Sequence, residues 1–327
     1  TRYPVMPVLA RVDVNTHPDD LRCLAAFSDD VTLEIVVQDA EAPDATLRTI
    51  AKYCTVAGLV PRSVVALPKA YLASHQPGGP WPSPDPASLV PMVRAAFPDA
   101  RVGGGSLTNF TEFNRCRPDP ARVDFVTFGS AAIVHAADDL SVLQTLEALP
   151  HIFSSARMIA ADRPLRLGLI AIGMRSNPYG SGVAPNPQGL RMPMAMTDPR
   201  QSTRFAGSWA VGVLAKAAGQ GVESLALAMP DGPLGAITHG QYTPLYHVLR
   251  AAASLSRAEV AITEQNGVVS LRPVSGGPTG GIATNLGTMA AVLPQSMRGR
   301  VLSAASEAEA RQNADCASGP PQTPAGG

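Results

Sequence analysis

The sequence has few aromatic and few charged residues, and it lacks any block of like charge. Aromatic residues make up 5% of its 327 positions and charged residues 16%, with 26 basic and 26 acidic side chains. A core built from this chain must therefore depend on aliphatic and alanine packing. Because no basic patch is available to neutralise phosphates, we do not expect a nucleic-acid partner.

Long apolar runs are also missing. No run approaches the roughly 20 residues needed to cross a bilayer, and no charged, apolar and small-residue signal segment opens the sequence. We therefore expect a cytoplasmic protein with no membrane partner. The sequence starts at Thr1 and enters an apolar run almost at once, so we expect the natural start of the protein to lie upstream.

Motifs for metals and cofactors are absent as well. The four cysteines, Cys23, Cys54, Cys116 and Cys316, fit neither a CxxC motif nor a zinc knuckle. No HxH or HxxxH spacing occurs, and the triple glycine Gly103–Gly105 does not match GxGxxG. The sequence therefore predicts neither a metal site nor a bound cofactor.

What the sequence does contain is a regular alternation of strand and helix patterns. Runs such as Val31–Val37 and Ser63–Leu67 predict strands, and segments with apolar residues at helical spacing, such as Leu140–Leu149, follow them. The alternation recurs seven times, up to the strand Glu223–Met229 and the helix Tyr242–Leu255. It predicts a parallel sheet with right-handed crossovers.

The period of roughly 30–40 residues favours a TIM-type (β/α)₈ barrel over an open, doubly wound sheet. The open sheet stays the alternative, but no acidic residue lies at the ribose-binding distance that a cofactor crevice requires. Seven units are one short of eight, and we assign the missing first strand to upstream sequence. The barrel is expected over residues 1–257, a small antiparallel β appendage over 258–305 and a disordered tail over 306–327.

Three polar clusters each follow an apolar run: Gly103–Arg115, Ile133–Asp139 and Ile172–Gly180. A fourth polar segment, the proline-rich loop Ser74–Pro86, carries Trp81 in its middle, which predicts a packed lid. The carboxyl ends of barrel strands form the active face of this fold, so the clusters are expected to face one pocket.

These segments resemble the D-apionate lactonase-like family, whose barrel is related in fold to clan-A glycosidases. The resemblance rests on GGGSLTNFTEFNR (Gly103–Arg115), IVHAADDLSVLQTLEALP (Ile133–Pro150), AIGMRSNPYG (Ala171–Gly180) and LPKAYLASHQPGGPWP (Leu67–Pro82). It implies a hydrolase that opens a sugar lactone, a small-molecule substrate, with water. The family's last barrel strand carries a glutamate-containing segment, and Ala228–Gly232 departs from it.

Glu112, Asp138 and His135 are the candidates for the catalytic groups that this reaction requires. Lactone opening needs a base for water, an acid for the leaving alkoxide and positive charge near the oxyanion. Glu112 is a candidate base, although the dipole of a helix also favours a carboxylate in its first turn. Asp138 is either a catalytic carboxylate or a helix N-cap. His135 lies three residues before it and joins the candidates.

Lys69 and Arg175 each follow a predicted strand and could bind an oxyanion or a carboxylate, for which a guanidinium is well shaped. The other candidates for substrate binding are polar or aromatic residues of the same loops, namely Asn109, Asp139, Asn177 and Tyr179. Each of them could instead be a surface residue or a residue that anchors its loop.

Two other functions compete with lactone hydrolysis. A retaining glycosidase needs two carboxylates roughly 5 Å apart, and in the related glycosidases they come from the fourth and seventh strand ends. Those ends are Leu67–Lys69 and Met174–Ser176 here, and neither holds a carboxylate. A non-catalytic carbohydrate-binding homologue is the third possibility, because a strand is missing and the last strand is altered.

Overall fold

The computed structural model describes residues 7–256, 258–274 and 281–287, and its frame is a sheet of parallel strands that pair in chain order. The strands are β1 (Val8–Val12), β2 (Val31–Val37), β3 (Ser63–Pro68), β4 (Arg101–Asn109), β5 (Phe125–Ala131), β6 (Arg166–Ala171) and β7 (Ser224–Ala226). A doubly wound sheet would reverse its strand order at a switch point, whereas this order runs from β1 to β7 without reversal.

Helices connect these strands on the outside of the sheet. They are α1 (Pro18–Phe27), α2 (Pro43–Ala57), α3 (Pro86–Ala96), α4 (Phe110–Arg115), α5 (Asp139–Ala160), α6 (Arg204–Gly219) and α7 (Pro244–Ser254). Four of them begin with proline, whose fixed φ suits the first helical position. Short 3₁₀ turns lie at Lys69–Leu72 and Pro199–Ser202.

The sheet curls into a barrel that is nearly closed. Within the described residues no pairing joins β1 to β7, so the ring has seven strands rather than eight. The predicted TIM-type barrel lacking one strand is therefore confirmed. The last strand, β7, is only three residues long and shorter than the predicted Glu223–Met229, because the chain leaves the sheet after Ala226.

Alternate residues of each strand face the helices or the barrel interior. On β2, Leu33 and Ile35 pack against helix residues such as Leu47 and Ile50. Val36, on the other side of the same strand, belongs to a cluster in the barrel interior that contains no buried helix residue. The other buried members of this cluster are Val65, Leu67, Leu107 and Phe125. Glu34 is two residues from Val36 and lies on the same face of the strand, so its side chain is directed into the barrel.

A second, larger core lies between the later strands and helices α5, α6 and α7. Helix α5 runs past the predicted end at Leu149 and continues through Pro150 to Ala160. Its second half buries Phe153 and Ala156 in this core, together with Trp209 of α6. Burial of these side chains offsets the backbone hydrogen bond that a proline removes from a helix.

Two small antiparallel sheets complete the described chain. The strands β8 (Ile237–Thr238) and β9 (Gln241–Tyr242) form a hairpin before α7. The strands β10 (Val260–Gln265), β11 (Val268–Pro273) and β12 (Ile282–Asn285) form the predicted C-terminal appendage. Asn266 and Gly267 turn the first of its hairpins with positive φ angles of 52° and 77°, as the Asn-Gly signal predicts.

The appendage is packed on the barrel rather than separated from it. Val269, Leu271 and Ile282 belong to the same core as Trp209, and Lys216 of α6 forms an ion pair with Glu264. The expected tail, residues 306–327, lies outside the described residues, and the expected domain limits at 257 and 305 stay predictions.

Candidate functional site

A buried ion cluster occupies the barrel cavity toward the carboxyl ends of the strands. Oε2 of Glu34 accepts hydrogen bonds from Nε of Arg11 and from a terminal nitrogen of Arg175, both at 2.9 Å. The glutamate side chain is 2% exposed, and both arginines are largely buried. We call Arg11, Glu34 and Arg175 the central cluster.

Strand register and one glycine hold the central cluster in place. Arg11 and Glu34 are direct partners on the adjacent strands β1 and β2, and Arg175 follows β6 on the opposite side of the barrel. Opposite Glu34, a Cβ on Gly168 would come within 3.2 Å of the second carboxylate oxygen, Oε1. Glycine at this position of β6 therefore leaves room for the carboxylate.

The cluster carries two positive charges and one negative charge. Burial lowers the pKa of Arg175, the nearby charge of Arg11 lowers it further, and the attraction of Glu34 opposes both effects. Arg11 also donates to the hydroxyl of Ser176 at 2.9 Å and to the carbonyl of Leu107 at 2.6 Å. The cluster is therefore held by neighbours on several strands and is not fully neutralised.

Other polar groups line the same space, which we call the central cavity. Its polar lining comprises the central cluster with Thr108, Asn109, Ser130 and Ser176. Nδ2 of Asn109 is buried and has no hydrogen-bond acceptor among the described residues. A buried donor of this kind is costly unless it is satisfied, so a ligand oxygen would stabilise it.

Glu112 lines a neighbouring cleft on the loop side of β4, which we call the Glu112 cleft. It is bounded by Tyr71, His75, Trp81 and Arg115, together with the backbone of β4 near Gly105. Glu112 is buried, and its Oε1 has no hydrogen-bond donor within the described chain. A buried carboxylate oxygen with no donor is free to accept a proton or a hydrogen bond from a bound molecule.

A hydrogen bond links Glu112 to Asn109, which lines the central cavity. Oε2 of Glu112 accepts a hydrogen bond from the backbone N–H of Asn109 at 3.3 Å, as in a helix capping box. Glu112 therefore fills the helix-end role that the sequence left open, but only one of its two oxygens takes part. The other oxygen remains available to the cleft.

The proline-rich loop packs over this cleft, as Trp81 predicted. The rings of Tyr71 and Trp81 stack with centroids 6.0 Å apart and planes 13° apart. The Tyr71 hydroxyl donates to the carbonyl of Pro82 at 2.7 Å, while Ser74 binds the loop after β6 by donating its N–H to Pro178 at 2.8 Å. The stacked rings give the cleft a flat apolar wall.

His135, Asp138 and Asp139 follow β5 at the same end of the barrel but lie nearer its surface. Asp138 is exposed and caps helix α5, accepting from the N–H of Ser141 at 2.9 Å and from its hydroxyl at 2.6 Å. These hydrogen bonds from Ser141 lower the pKa of the Asp138 carboxyl. His135 is exposed and lines neither the central cavity nor the Glu112 cleft.

Asp139 is held by ion pairs rather than left free beside the cap. Its two oxygens accept from Arg191 and from the fully buried Arg200, each at 3.0 Å. Arg200 is also bound by Asp198 at 2.7 Å. This group fastens the loop between β6 and α6 to the start of α5.

The three remaining candidates for substrate binding lie on the rim. Lys69 is exposed and begins the 3₁₀ turn after β3. Asn177 anchors its own loop, since Nδ2 donates to Gly182 and Oδ1 accepts from the N–H of Tyr179, both at 2.9 Å. Tyr179 is 43% exposed, so its ring is available at the surface.

Arg11 and Glu34 were not among the residues predicted from the sequence. Each is the single charged residue of a mostly apolar strand, VLARV and VTLEIVV. A charge inside a buried strand of a barrel must face the interior and must find a counter-charge. That signal could have identified both residues, but their partner Arg175 is 141 positions from Glu34.

The described part of the chain contains neither a metal-binding cluster nor a membrane-spanning helix. No group of three His, Cys, Asp or Glu side chains within residues 7–256, 258–274 and 281–287 is arranged to hold a metal ion. No helix in that part of the chain combines the length and the apolar character that crossing a bilayer requires.

The fold and the site define a TIM-barrel protein with a polar cavity at the carboxyl ends of its strands. Residues 13–257 match the family described as D-apionate lactonase, TIM barrel domain, and the chain belongs to that family. A curated D-apionate lactonase from Brucella anthropi is 44% identical over 228 residues, which cover 69% of this chain and 37% of the relative. The match thus spans little more than a third of that relative's length.

Solved structures of similar shape include two carbohydrate-active proteins. A β-glucuronidase from Ruminococcus gnavus aligns with a TM-score of 0.44 and 7% identity, over 76% of this chain and 49% of that one. A glycoside hydrolase family 17 β-1,3-glucanosyltransferase from Rhizomucor miehei aligns with a TM-score of 0.44 and 11% identity, over 73% of this chain and 95% of that one.

Proposed function

We propose that this protein hydrolyses a sugar lactone of the D-apionolactone type to the open aldonate. The observation that carries the proposal is the buried Glu112 carboxylate, whose Oε1 has no donor among the described residues and lines an aromatic-walled cleft. Membership of the D-apionate lactonase family supports the substrate class.

Glu112 acts as the general base in this proposal. It takes a proton from water as the water oxygen attacks the lactone carbonyl carbon, and the carbonyl oxygen becomes an oxyanion. The tetrahedral intermediate then collapses, the bond to the ring oxygen breaks, and the leaving alkoxide takes the proton that Glu112 received from water. The product is an open hydroxy acid, which ionises to the aldonate at neutral pH.

Positive charge and hydrogen-bond donors near Glu112 would stabilise the oxyanion. Arg175 and Asn109 line the adjoining central cavity, and donors placed in a largely buried site are worth more than donors in water. The stacked rings of Tyr71 and Trp81 offer an apolar wall for the carbon face of a sugar. Asn177, Tyr179, Lys69 and Asp139 lie on the rim, where they could contact the outer part of a substrate.

Glu112 is better placed as the base than Asp138 or His135. Asp138 already accepts two hydrogen bonds from Ser141, and these lower its pKa, which makes it a weaker base. His135 is exposed and lines neither the Glu112 cleft nor the central cavity, so it is less well placed to act on a substrate bound there. We therefore assign the removal of a proton from water to Glu112 and treat Asp138 and His135 as secondary candidates.

The test compares lactones and glycosides in one series. Aldonolactones, with D-apionolactone among them, are followed by proton release at constant pH, and aryl glycosides are followed by release of the phenol. We expect lactone opening above the uncatalysed rate and no glycoside cleavage. Cleavage of an aryl glycoside, or binding of a lactone without turnover, would instead favour one of the two competing functions.

A further inference from the structure

The central cluster contains more positive than negative charge in a buried place. Glu34 is the one carboxylate among the polar residues lining the central cavity, and it faces the two guanidinium groups of Arg11 and Arg175. A buried charge without a counter-charge is unfavourable, so the second positive charge favours an anion in the cavity.

The two arginines differ in how much of their hydrogen-bonding capacity the protein uses. Arg11 donates to Glu34, to Ser176 and to the carbonyl of Leu107. Arg175 makes a single hydrogen bond to protein within the described residues, to Glu34. Because a guanidinium has five N–H donors in a planar fork, Arg175 retains donors for a ligand.

The cavity also offers a neutral donor. Asn109 lines it, and its buried Nδ2 has no acceptor among residues 7–256, 258–274 and 281–287. A guanidinium fork matches a carboxylate with two parallel hydrogen bonds, and an amide donor suits a hydroxyl oxygen beside it. The same cavity contains the carboxylate of Glu34, which would repel the second charge of a dianion such as a phosphate monoester.

We propose that the central cluster is an anion subsite that binds the carboxylate of an open aldonate, with Arg175 as the contacting group. Glu34 is a positioning residue, because it holds both guanidinium groups in fixed orientations. Asn109 binds an adjacent hydroxyl group. The choice of an aldonate as the anion rests on the proposed function, whereas the preference for a carboxylate rests on the geometry of the cluster.

The experiment measures binding without turnover, by isothermal titration calorimetry. The probes are D-apionate and the uncharged alditol of the same carbon skeleton, titrated into the whole chain and its Arg175→Gln and Arg175→Lys variants. Arg48→Gln is the matched control, since Arg48 pairs with Asp44 on the exposed face of α2. In Arg175→Gln, Glu34 keeps its bond to Arg11, so the variant leaves no carboxylate unpaired; thermal melting checks its fold.

We expect wild type to bind D-apionate more tightly than the alditol. Arg175→Gln should weaken D-apionate binding about 10- to 100-fold, the range of one charge-assisted hydrogen-bonded contact. The alditol affinity should change little. Arg175→Lys keeps the positive charge but loses the planar guanidinium group, so it should lose less affinity for D-apionate. This variant also provides a test if Arg175→Gln does not fold. Arg48→Gln should match wild type.

Three results would overturn the subsite: no binding of D-apionate to wild type, equal affinities for the acid and the alditol, or an unchanged D-apionate affinity in both Arg175 variants. The proposed function fails separately. If lactones are not hydrolysed but D-apionate binding depends on Arg175, the subsite is supported and the reaction is not. If lactones are hydrolysed but the affinity for D-apionate is unchanged in both Arg175 variants, only the subsite proposal is wrong.

Discussion

The two ends of the barrel each hold a glutamate that accepts hydrogen bonds from two arginines. At the amino ends of the strands, Oε1 of Glu223 accepts from Arg101 at 2.8 Å and from Arg166 at 2.6 Å. Toward the carboxyl ends, Glu34 accepts from the two arginines of the central cluster. We call Arg101, Arg166 and Glu223 the amino-end cluster.

The space beside each cluster differs. In the amino-end cluster both guanidinium groups lie over the ring of Phe125, at 5.6 and 5.5 Å from its centroid, and Asp30 lies 3.7 Å from Arg166. Beside the central cluster lies a cavity with a buried amide donor that the described chain does not satisfy. The amino-end cluster is packed against the ring of Phe125, whereas the central cluster borders a polar cavity.

The glutamate of the amino-end cluster is also more exposed than the glutamate of the central cluster. Glu223 is 39% exposed, so water screens its charge, whereas Glu34 is 2% exposed. Ion pairs open to water contribute little to stability, while a buried pair is expensive to break. The comparison indicates that the same combination of two arginines and one glutamate fastens the barrel at one end and borders a cavity, the proposed anion subsite, at the other.

The largest effect expected from this comparison is on turnover. Glu112→Gln should lower kcat by a factor of about 10²–10⁴, because glutamine cannot take a proton from water, and KM should change far less. Glutamine keeps the capping-box hydrogen bond to Asn109, so the fold should persist. Glu223→Gln is the matched control from the other end of the barrel.

Steady-state kinetics on the best lactone checks this prediction. A near-normal kcat in Glu112→Gln would contradict the assignment of Glu112 as the base. An equal loss of kcat in Glu223→Gln would show that the loss is not specific to the carboxyl end of the barrel.

The next effect concerns stability. Glu34→Gln should lower the free energy of unfolding by about 3–5 kcal/mol, because it leaves two buried guanidinium groups without a counter-charge. Glu223→Gln should cost about 1 kcal/mol or less, since its ion pairs are partly exposed. Urea denaturation of the two variants at pH 7 measures both values. Equal losses would mean that burial does not separate the two clusters.

A smaller effect is the pH dependence of the amino-end cluster. Burial alone would raise the pKa of Glu223, but hydrogen bonds from Arg101 and Arg166 outweigh burial and hold that pKa below its usual value of 4.5. A lowered pKa in the folded state means that the stabilisation is present above pH 4.5 and is lost as the pH falls through the folded-state pKa. The difference in melting temperature between wild type and Glu223→Gln should therefore shrink below about pH 4.5. A difference that grows on acidification would contradict this assignment.

The smallest expected effect is that of Asp138→Asn at the rim of the carboxyl end. Asparagine caps a helix about as well as aspartate, so a capping Asp138 should tolerate the change within a few tenths of a kcal/mol and with kcat unchanged. Thermal melting and the lactone assay provide the two readings. A fall in kcat with an unchanged melting temperature would restore Asp138 as a catalytic carboxylate.

Much of the carboxyl-end site could be predicted because its residues follow strands directly. Glu112 and Arg175 each lie a few residues past a strand end, and parallel strands bring such positions to one edge. The position of a residue after a strand did not predict whether its side chain would be buried or exposed. Glu112 is buried in its cleft, while His135, at a similar distance past its strand, is exposed.

Helix ends show the same limit. A proline at the first helical position marks the starts of α1, α2 and α3, and such signals are local to the start of the helix. The signals did not place the end of α5, which continues through Pro150. Its second half is stabilised by Phe153 and Ala156, whose partners lie on other elements.

The sequence by itself determined the alternation of strands and helices, the seven-stranded barrel, the Asn-Gly hairpin and the family, because periodicity, turn chemistry and motif order are local properties of the chain. Only the tertiary structure decided that Arg11, Glu34 and Arg175 form one cluster and that Glu112 keeps one oxygen without a donor in the described chain. The cluster depends on strand register and on the curvature of the sheet, which bring Glu34 and Arg175 together although they lie 141 positions apart in the sequence.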